Sequence, residues 1–286
     1  MKQYTINARG RLISLQQPVV MGILNLTPDS FHPGSRISGT EEAISHAGRM
    51  LTEGAAIIDV GAASSRPGAD VIQVDEELQR LMPVLDLLLK TFPEAVFSVD
   101  TWRAEVAQAA LTAGAHMIND ISAGTLEPEI VRITANAHAP FVAMHMLGSP
   151  GRMPAHPDYK DVAGEILRFF VGRIRDVREA GISDIILDPG FGFGKSVAHN
   201  FRLLQRLEIF QFLELPLMVG LSRKSMIWRT LGTTPEEALN GTTALHMIAL
   251  QNGAGILRVH DVKEAREAII LHERYRRDPI NPDSMH

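Results

Sequence analysis

The sequence contains no cysteine, which excludes disulfides, thiolate zinc sites and a cysteine nucleophile. No apolar run approaches the roughly 20 residues of a transmembrane helix, and the opening MKQYTINARG lacks the apolar core of a signal peptide. Excess positive charge is also missing: the formal net charge of −5 over 286 residues argues against a broad nucleic-acid surface. We therefore expect a cytoplasmic protein with small-molecule partners, and neither a nucleic acid nor a membrane as a partner.

Short apolar, β-branched runs alternate along the chain with segments of 3.6-residue apolar spacing, which are typical of helices. The eight strand-like runs lie at 19–26, 55–62, 95–100, 116–121, 140–146, 184–189, 216–222 and 255–260. Eight strand–helix pairs without a long break predict one (β/α)₈ (TIM) barrel domain over 1–286, with an open doubly wound sheet as the alternative. The first 18 residues, in which ARG separates YTIN from RLIS, predict a short hairpin that closes the lower end of the barrel.

Polar residues gather at the carboxyl ends of these strands, where barrel enzymes hold their active sites. The strand-end residues are Asn25, Asp59, Asp100, Asn119, Asp120, His145, Asp188, Ser222, Lys224, Arg258 and His260. A single strand-end Asp is more often a helix cap or loop anchor than a catalyst, so we interpret Asp59 and Asp120 as structural. His145 alone would be a hydrogen-bonded packing residue. The whole set, however, predicts a pocket for a polar, partly anionic small molecule.

The stretch DPGFGFGKS, from Asp188 to Ser196, is similar to a phosphate-binding loop. Its register fails by one residue, because the first glycine of that motif would fall at 189, which is proline. We therefore interpret Lys195 as a solvated loop cation and the glycines as a sharp turn after Asp188.

Two groups of side chains follow from this chemistry. Arg66, Arg258 and His260 suit an anion, since the arginine fork matches phosphate oxygens, and Asn25 could give Mg²⁺ one oxygen ligand. Asp100, Asn119 and Asp188 suit the edge of a heterocycle with N–H donors, and Lys224 supplies a cation between the two groups.

Seven ordered motifs between residues 19 and 261 resemble dihydropteroate synthase. They are MGILNLTPDSF (21–31), SSRPGA (64–69), SVDT (98–101), MINDI (117–121), LDPGFGFGK (187–195), GLSRKSMI (220–227) and RVHD (258–261). This family joins 6-hydroxymethyl-7,8-dihydropterin diphosphate to 4-aminobenzoate in folate synthesis. The resemblance implies a transferase, a homodimer, a Mg²⁺ cofactor and sulfonamides as aminobenzoate mimics.

The resemblance also implies a role for each matched residue. The pterin would lie against Asp100, Asn119, Met144, Asp188, Lys224 and Arg258, of which Asp188, Lys224 and Arg258 would be catalytic. The diphosphate would be held by Arg66, Arg258 and His260, with Mg²⁺ at Asn25. The 4-aminobenzoate would lie among Ser65, Pro67, Phe193 and Ser222, beside Lys224. The loops TPDSF (27–31) and SSRPG (64–68) would close over the substrates.

The sequence departs from the family pattern at two places, and two other functions are alternatives to the one that the resemblance implies. Where the family commonly has GGESTRPG, this chain has GAASSRPG (61–68), so Ala63 lacks a carboxylate and Ser65 replaces threonine; FHPGS (31–35) replaces a more usual acidic, glycine-rich turn. One alternative is the related methyltetrahydrofolate methyltransferase barrel, which would not need the anion-binding residues. The other is a non-catalytic pterin- or phosphate-binding barrel.

Overall fold

The computed structural model describes residues 4–26, 36–64, 71–154 and 156–276. The described chain begins with an antiparallel hairpin of β1 (Thr5–Ala8) and β2 (Arg11–Ser14). Its turn is Arg9–Gly10, and both residues have positive φ. The predicted N-terminal hairpin is therefore confirmed.

Eight further strands form one parallel sheet at the positions that the apolar runs predict. They are β3 (Val19–Asn25), β4 (Ala55–Gly61), β5 (Phe97–Asp100), β6 (Met117–Asp120), β7 (Phe141–Met144), β8 (Ile185–Asp188), β9 (Met218–Val219) and β10 (Ile256–Val259). The order is β8-β7-β6-β5-β4-β3-β10-β9. A parallel bridge between Leu187 and Leu217 joins the two outer strands, and the Leu187 amide donates to Pro216 O at 2.9 Å. The sheet thus closes into the predicted barrel, and the open-sheet alternative is wrong.

Helices follow the strands and cover the outside of the barrel. They are α1 (Arg36–Thr52), α2 (Val74–Thr91), α3 (Ala104–Ala113), α4 (Glu129–Asn136), α5 (Val162–Glu179), α6 (Val197–Gln205), α7 (Ser225–Leu231), α8 (Leu239–Gln251) and α9 (Val262–Arg276). The seventh barrel strand is followed by two helices, α7 and α8, whereas the simple repeat predicts one. Within the described ranges, no helix is both long and apolar enough to span a bilayer.

The core has two layers that the barrel wall separates. The larger cluster lies between the strands and the helices and includes Phe97, Phe141 and Phe170. The smaller cluster lies inside the barrel, where Ile6 and Ile13 of the hairpin pack against strand residues such as Met21. The hairpin therefore fills the lower end of the barrel, as predicted, and leaves the carboxyl end of the strands for a ligand.

Candidate active site

Strand register brings one layer of predicted site residues to the carboxyl end of the barrel. Asn25 pairs with Gly61, Gly61 with Asp100, and Asp100 with Asn119, across four adjacent strands. A Cβ at Gly61 would lie 3.3 Å from the Asp100 Cβ, so this glycine leaves room for the neighbouring carboxylate. On the far side, Met144 pairs with Asp188 in the same way. The sheet itself therefore assembles residues that are distant in sequence.

Arg258, on β10, links the acids of two other strands. Its Nε donates to Asp59 Oδ2 at 2.7 Å, and its Nη2 donates to Asp100 Oδ2 at 2.7 Å. Asp59 Oδ2 also accepts from Asn119 Nδ2 at 2.8 Å. Burial acts to lower the pKa of Arg258, but the charges of Asp59 and Asp100 keep that pKa above its usual value. The guanidinium is thus charged and oriented by two carboxylates.

Asp100 has a raised pKa that lies near neutral pH. Burial raises its pKa to about 7; the charge of Arg258 opposes the rise, while those of Asp59 and Glu77 add to it. The charge of Arg258 offsets the burial only in part, and Arg258 also pairs with Asp59. Asp100 therefore exchanges its proton in the range in which enzymes usually operate.

Asp188 ends β8 and orders the loop that follows it. Its Oδ1 accepts from the Gly190 amide at 2.8 Å. Gly190, Gly192 and Gly194 all have positive φ, and a Cβ at Gly190 would overlap the carbonyl oxygen of His145. Burial raises the pKa of Asp188, and the charge of Lys224 and the Gly190 hydrogen bond oppose the rise. The glycines therefore allow the turn, and one oxygen of the acid fixes it.

Lys224 follows the neighbouring strand β9 and lies over this loop. Its Nζ donates to the carbonyl oxygen of Phe191 and lies 4.3 Å from the centroid of the Phe193 ring. Burial lowers the pKa of Lys224 to about 8, and the charge of Asp188 opposes that shift. Lys224, Asp188 and Phe193 are thus neighbours, as their predicted roles require.

The loops after β9 and β10 are joined by two contacts. Ser222 Oγ lies 3.0 Å from His260 Nδ1 and accepts from the His260 amide at 3.2 Å. The guanidinium of Arg223 donates to both oxygens of Asp261, at 2.9 and 2.6 Å. The predicted aminobenzoate residue Ser222 and the predicted diphosphate residue His260 are therefore adjacent.

An apolar surface lies within the same mouth. Trp102, Ile121 and Met144 form a buried cluster against which Ala63, Met146 and Phe193 pack. Such a surface suits the face of a flat ring, and the polar side chains of Asp100, Asn119 and Asp188 suit its edge. Ala63 belongs to this apolar surface, so the position at which the family pattern has a carboxylate is used here for packing.

Lys195 is not a solvated loop cation, and that prediction is wrong. The residue is only 9% exposed. Its Nζ donates to the carbonyl oxygens of Gly190 at 2.8 Å, Phe193 at 3.1 Å and His145 at 3.3 Å, and lies 3.1 Å from His145 Nδ1. Burial lowers the pKa of Lys195 well below its usual value. Gly190, Gly192 and Gly194 have positive φ, and the turned loop directs its carbonyl oxygens toward Lys195 Nζ. This arrangement cannot be read from the sequence, in which a lysine in a glycine-rich loop is expected to face solvent.

Three other predictions of structural roles can be compared with these contacts. Asp120 accepts from the Ser122 and Gly124 amides within its own turn, which confirms it as a loop anchor. His145 packs against Phe169 with ring centroids 5.0 Å apart, which confirms it as a packing residue. Asp59 is fully buried, as a structural residue would be, but it also contacts Asn119 and Arg258.

Some predicted residues cannot be placed in this geometry. Ser65, Arg66 and Pro67 lie outside the described residues, as do the segments 27–31 and 31–35. Asn25 is half-buried at the end of β3. Throughout the described ranges, no three acidic or imidazole side chains converge as a metal cage.

Comparison with known proteins gives a consistent picture. Residues 21–260 match the model of the pterin binding enzyme family. Dihydropteroate synthase of Escherichia coli K12 is 47% identical over 264 residues, covering 92% of this chain and 93% of the relative. The structure of Xanthomonas albilineans dihydropteroate synthase with 4-aminobenzoic acid superposes with a TM-score of 0.90 at 41% identity, covering 97% of this chain and 100% of that one. A Yersinia pestis dihydropteroate synthase in complex with a sulfonamide drug gives a TM-score of 0.89 at 44% identity, covering 96% and 99%.

The chain belongs to the dihydropteroate synthase family. The resemblance that the seven motifs carry is therefore confirmed, and the methyltransferase barrel is disfavoured as the family.

Sequence reasoning about this dihydropteroate synthase family member missed three contributors to the mouth. Trp102 follows the motif SVDT directly and Ile121 ends the motif MINDI, so their positions beside strand ends were a usable signal. Asp59 stands inside the apolar run AAIIDVG, where a charge needs a buried partner. That partner, Arg258, lies 199 residues further along the chain, so only the closed sheet reveals it.

The loop after Asp188 gives a first prediction. Gly190→Ala should lower the free energy of unfolding by about 1–3 kcal/mol, because an alanine is strained at positive φ and its Cβ meets the His145 backbone. The same substitution at Gly172, within α5, meets nothing within 4 Å and should raise it by about 0.5–1 kcal/mol. Chemical denaturation of both variants measures this, and equal effects would contradict the proposed constraint.

Proposed function

We propose that the protein joins 6-hydroxymethyl-7,8-dihydropterin diphosphate to 4-aminobenzoate, giving 7,8-dihydropteroate and diphosphate. The observation that carries this proposal is the barrel mouth at which Asp100, Asn119 and Asp188 lie close to Lys224 and Arg258. Support comes from the solved relatives, since Xanthomonas albilineans dihydropteroate synthase has been solved with 4-aminobenzoic acid and also with 7,8-dihydropteroate, the latter at a TM-score of 0.86.

The reaction breaks the bond between the pterin methylene carbon and the diphosphate oxygen. That oxygen leaves with the electron pair, and the fixed cation of Arg258 beside His260 would stabilise its negative charge. The methylene then carries positive charge, which the electron-rich ring disperses while Asp188 holds the ring edge. The amine nitrogen of 4-aminobenzoate forms the new bond and releases one proton to the solvent, so no protein nucleophile is required.

A Mg²⁺ ion at Asn25 fits the donor chemistry of this mouth. Asn25 can offer one amide oxygen, and the described residues form no carboxylate cage, so the remaining ligands would be phosphate oxygens and water. When bound, the ion would supply charge neutralisation to the diphosphate. Loss of activity on chelation that added Mg²⁺ restores would support this role, and unchanged activity would contradict it.

We also assign the second substrate to the part of the mouth beside Phe193 and Ser222. Lys224 lies 4.3 Å from the Phe193 ring centroid, so a flat amine placed here is next to the pterin pocket. Ser65, Pro67 and Arg66, which lie outside the described residues, are proposed to complete the aminobenzoate and diphosphate sites.

A homodimer and a cytoplasmic location are further proposals. Exposed apolar side chains on α7, α8 and α9 support the dimer; they are Leu231, Ile248, Ile270 and Leu271. A monomeric mass in sedimentation equilibrium would contradict the dimer. Cell fractionation would measure the location.

The reaction has a direct test. Purified protein with Mg²⁺ and dihydropterin diphosphate should release diphosphate only when 4-aminobenzoate is added, and it should form 7,8-dihydropteroate in equal amount. Release without 4-aminobenzoate would indicate simple hydrolysis. Absence of release with intact pterin binding would favour a non-catalytic pterin-binding barrel.

Asp188 gives a sharper prediction about the pterin edge. Its Oδ1 is taken by the Gly190 amide, which leaves Oδ2 for the ligand. Asp188→Asn can keep the loop bond through its carbonyl oxygen, but it then turns an NH₂ group toward the N–H donors of the pterin. Because charge-assisted bonds contribute about 1.5–3 kcal/mol and an unsatisfied donor costs about 1–3 kcal/mol, affinity for pterin should fall at least about a hundredfold. Calorimetry measures this, and thermal unfolding should be nearly unchanged; intact binding would contradict the role.

The pKa values of Asp100 and Lys224 predict the pH dependence of kcat/KM. The raised pKa of Asp100, about 7, means that its carboxylate forms only above that pH, and the lowered pKa of Lys224, about 8, means that its ammonium is lost above pH 8. If both charged forms are needed, kcat/KM should rise through about pH 7 and fall through about pH 8. Lys224→Arg should remove the alkaline fall, while Asp100→Asn should remove the acid rise. A rise that persists in Asp100→Asn would instead report substrate ionisation.

A further inference from the structure

Asp59 is a fully buried acid to which the proposed function gives no ligand contact. Its Oδ2 accepts from Arg258 Nε at 2.7 Å and from Asn119 Nδ2 at 2.8 Å. Its Oδ1 is buried and has no hydrogen-bond partner among the described residues. A buried carboxylate is costly, so its position between two residues of the mouth calls for a physical reason.

Burial at a strand end does not by itself create this arrangement. Asp120, on the next strand but one, is equally buried, yet its oxygens accept from Ser122 and Gly124 of its own turn. Asp59 instead accepts hydrogen bonds at one oxygen from side chains on β6 and β10. The two acids therefore form a natural contrast between loop anchoring and the orientation of other side chains.

The carboxylate determines which way the Asn119 amide faces. The Asp59 oxygen accepts from Asn119 Nδ2, so it holds the NH₂ branch of Asn119 rather than the carbonyl branch. Asn119 is then left with its Oδ1 acceptor and its second N–H in a fixed order. A ligand edge complementary to that order has a ring-nitrogen acceptor beside an N–H or amino donor.

The same oxygen determines the plane of Arg258. Asp59 holds Nε and Asp100 holds Nη2, and two contacts on different nitrogens of a planar group leave it no free rotation. Neither contact uses Nη1. Arg258 and Asn119 are therefore oriented together through one atom, Asp59 Oδ2.

We propose that Asp59 is a positioning residue that sets ligand specificity: through Asn119 and Arg258 it makes the mouth selective for a heterocycle carrying an amino group beside a ring nitrogen. The proposal rests on the proposed function, because it assigns the pterin edge to Asn119. Asp59 acts through its two neighbours and touches no reacting atom.

The test compares two ligands on the same variants. The probes are 6-hydroxymethylpterin, which carries a 2-amino group, and 6-hydroxymethyllumazine, in which a 2-oxo group replaces that amino group. Wild-type protein should bind the amino compound at least about tenfold more tightly, since one mismatched hydrogen bond corresponds to about 1.4 kcal/mol or more. In Asp59→Asn the side chain can donate as well as accept, so the Asn119 amide can reverse, and the ratio should fall to within about threefold.

Asp120→Asn is the matched control, because it makes the same chemical change in an equally buried acid, the chain neighbour of Asn119, whose side-chain oxygens bond to Ser122 and Gly124 instead of to Asn119 or Arg258. Its affinity ratio should equal that of the wild type, even if its unfolding temperature falls. Asp59→Asn with an unchanged ratio would overturn the proposal, including the case in which both affinities fall equally, since that is the result of a purely structural role.

A measurement on wild-type protein covers the case in which Asp59→Asn does not fold. The Asn119 side-chain amide should exchange its protons slowly in NMR, because Nδ2 donates to a carboxylate that is 0% exposed. Fast exchange would overturn the proposal. Failure of the proposed function is distinguishable: wild-type protein would then show no diphosphate release dependent on 4-aminobenzoate, whereas the affinity ratio requires no turnover.

Discussion

Arg258 is one cation between two buried carboxylates, Asp59 and Asp100, and the geometry of the mouth depends on how that charge is shared. Removing the guanidinium would leave two acids without a counter-ion in a place that water scarcely reaches, which is far more costly than losing an exposed ion pair. The sharing also leaves a residual negative charge, which adds to the effect of burial in raising the pKa of Asp100 to about 7. A pocket with such an excess favours ligands that bring N–H donors or developing positive charge.

On the other wall of the mouth, formed by the glycine-rich loop after β8 and by Lys224, lysine side chains are held by backbone carbonyl oxygens instead of by carboxylates. Lys195 is enclosed by the carbonyls of the glycine-rich loop, and Lys224 lies over the Phe193 ring of the same loop. These cations lie close enough to oppose the raised pKa of Asp188. The loop can take this shape only because three glycines supply positive φ. The same backbone conformation places the carbonyl oxygens that hold Lys195.

The apolar periodicity of the sequence was enough to predict the eight barrel strands, because burial on both faces of a parallel strand leaves a clear local pattern. The strand-end positions of Asp100, Asn119 and Asp188 also followed from that pattern. The hairpin followed from the ARG stretch between YTIN and RLIS. What the sequence could not show was pairing: Asp59 was interpreted as structural and Lys195 as solvated, and both depend on partners that only the closed sheet and the turned loop provide. The second helix after β9 was missed since α7 and α8 share one stretch without an intervening strand.

The buried charged residues, which lower the stability of the fold, are concentrated at the carboxyl end of the barrel. Asp59, Asp100, Asp188 and Lys195 are all buried at the carboxyl end of the barrel, while the hairpin and the inner strand residues give the other end an apolar core. Charged groups that are buried and incompletely paired lower stability, so a fold that carries them must be stabilised elsewhere. The apolar lower end and the helix-packed outer layer supply that stabilisation, and they leave the mouth free to hold a charge distribution that only a ligand completes. Asp59 shows this most clearly among the described residues, because its buried Oδ1 has no hydrogen-bond partner while its Oδ2 orients two residues of the mouth.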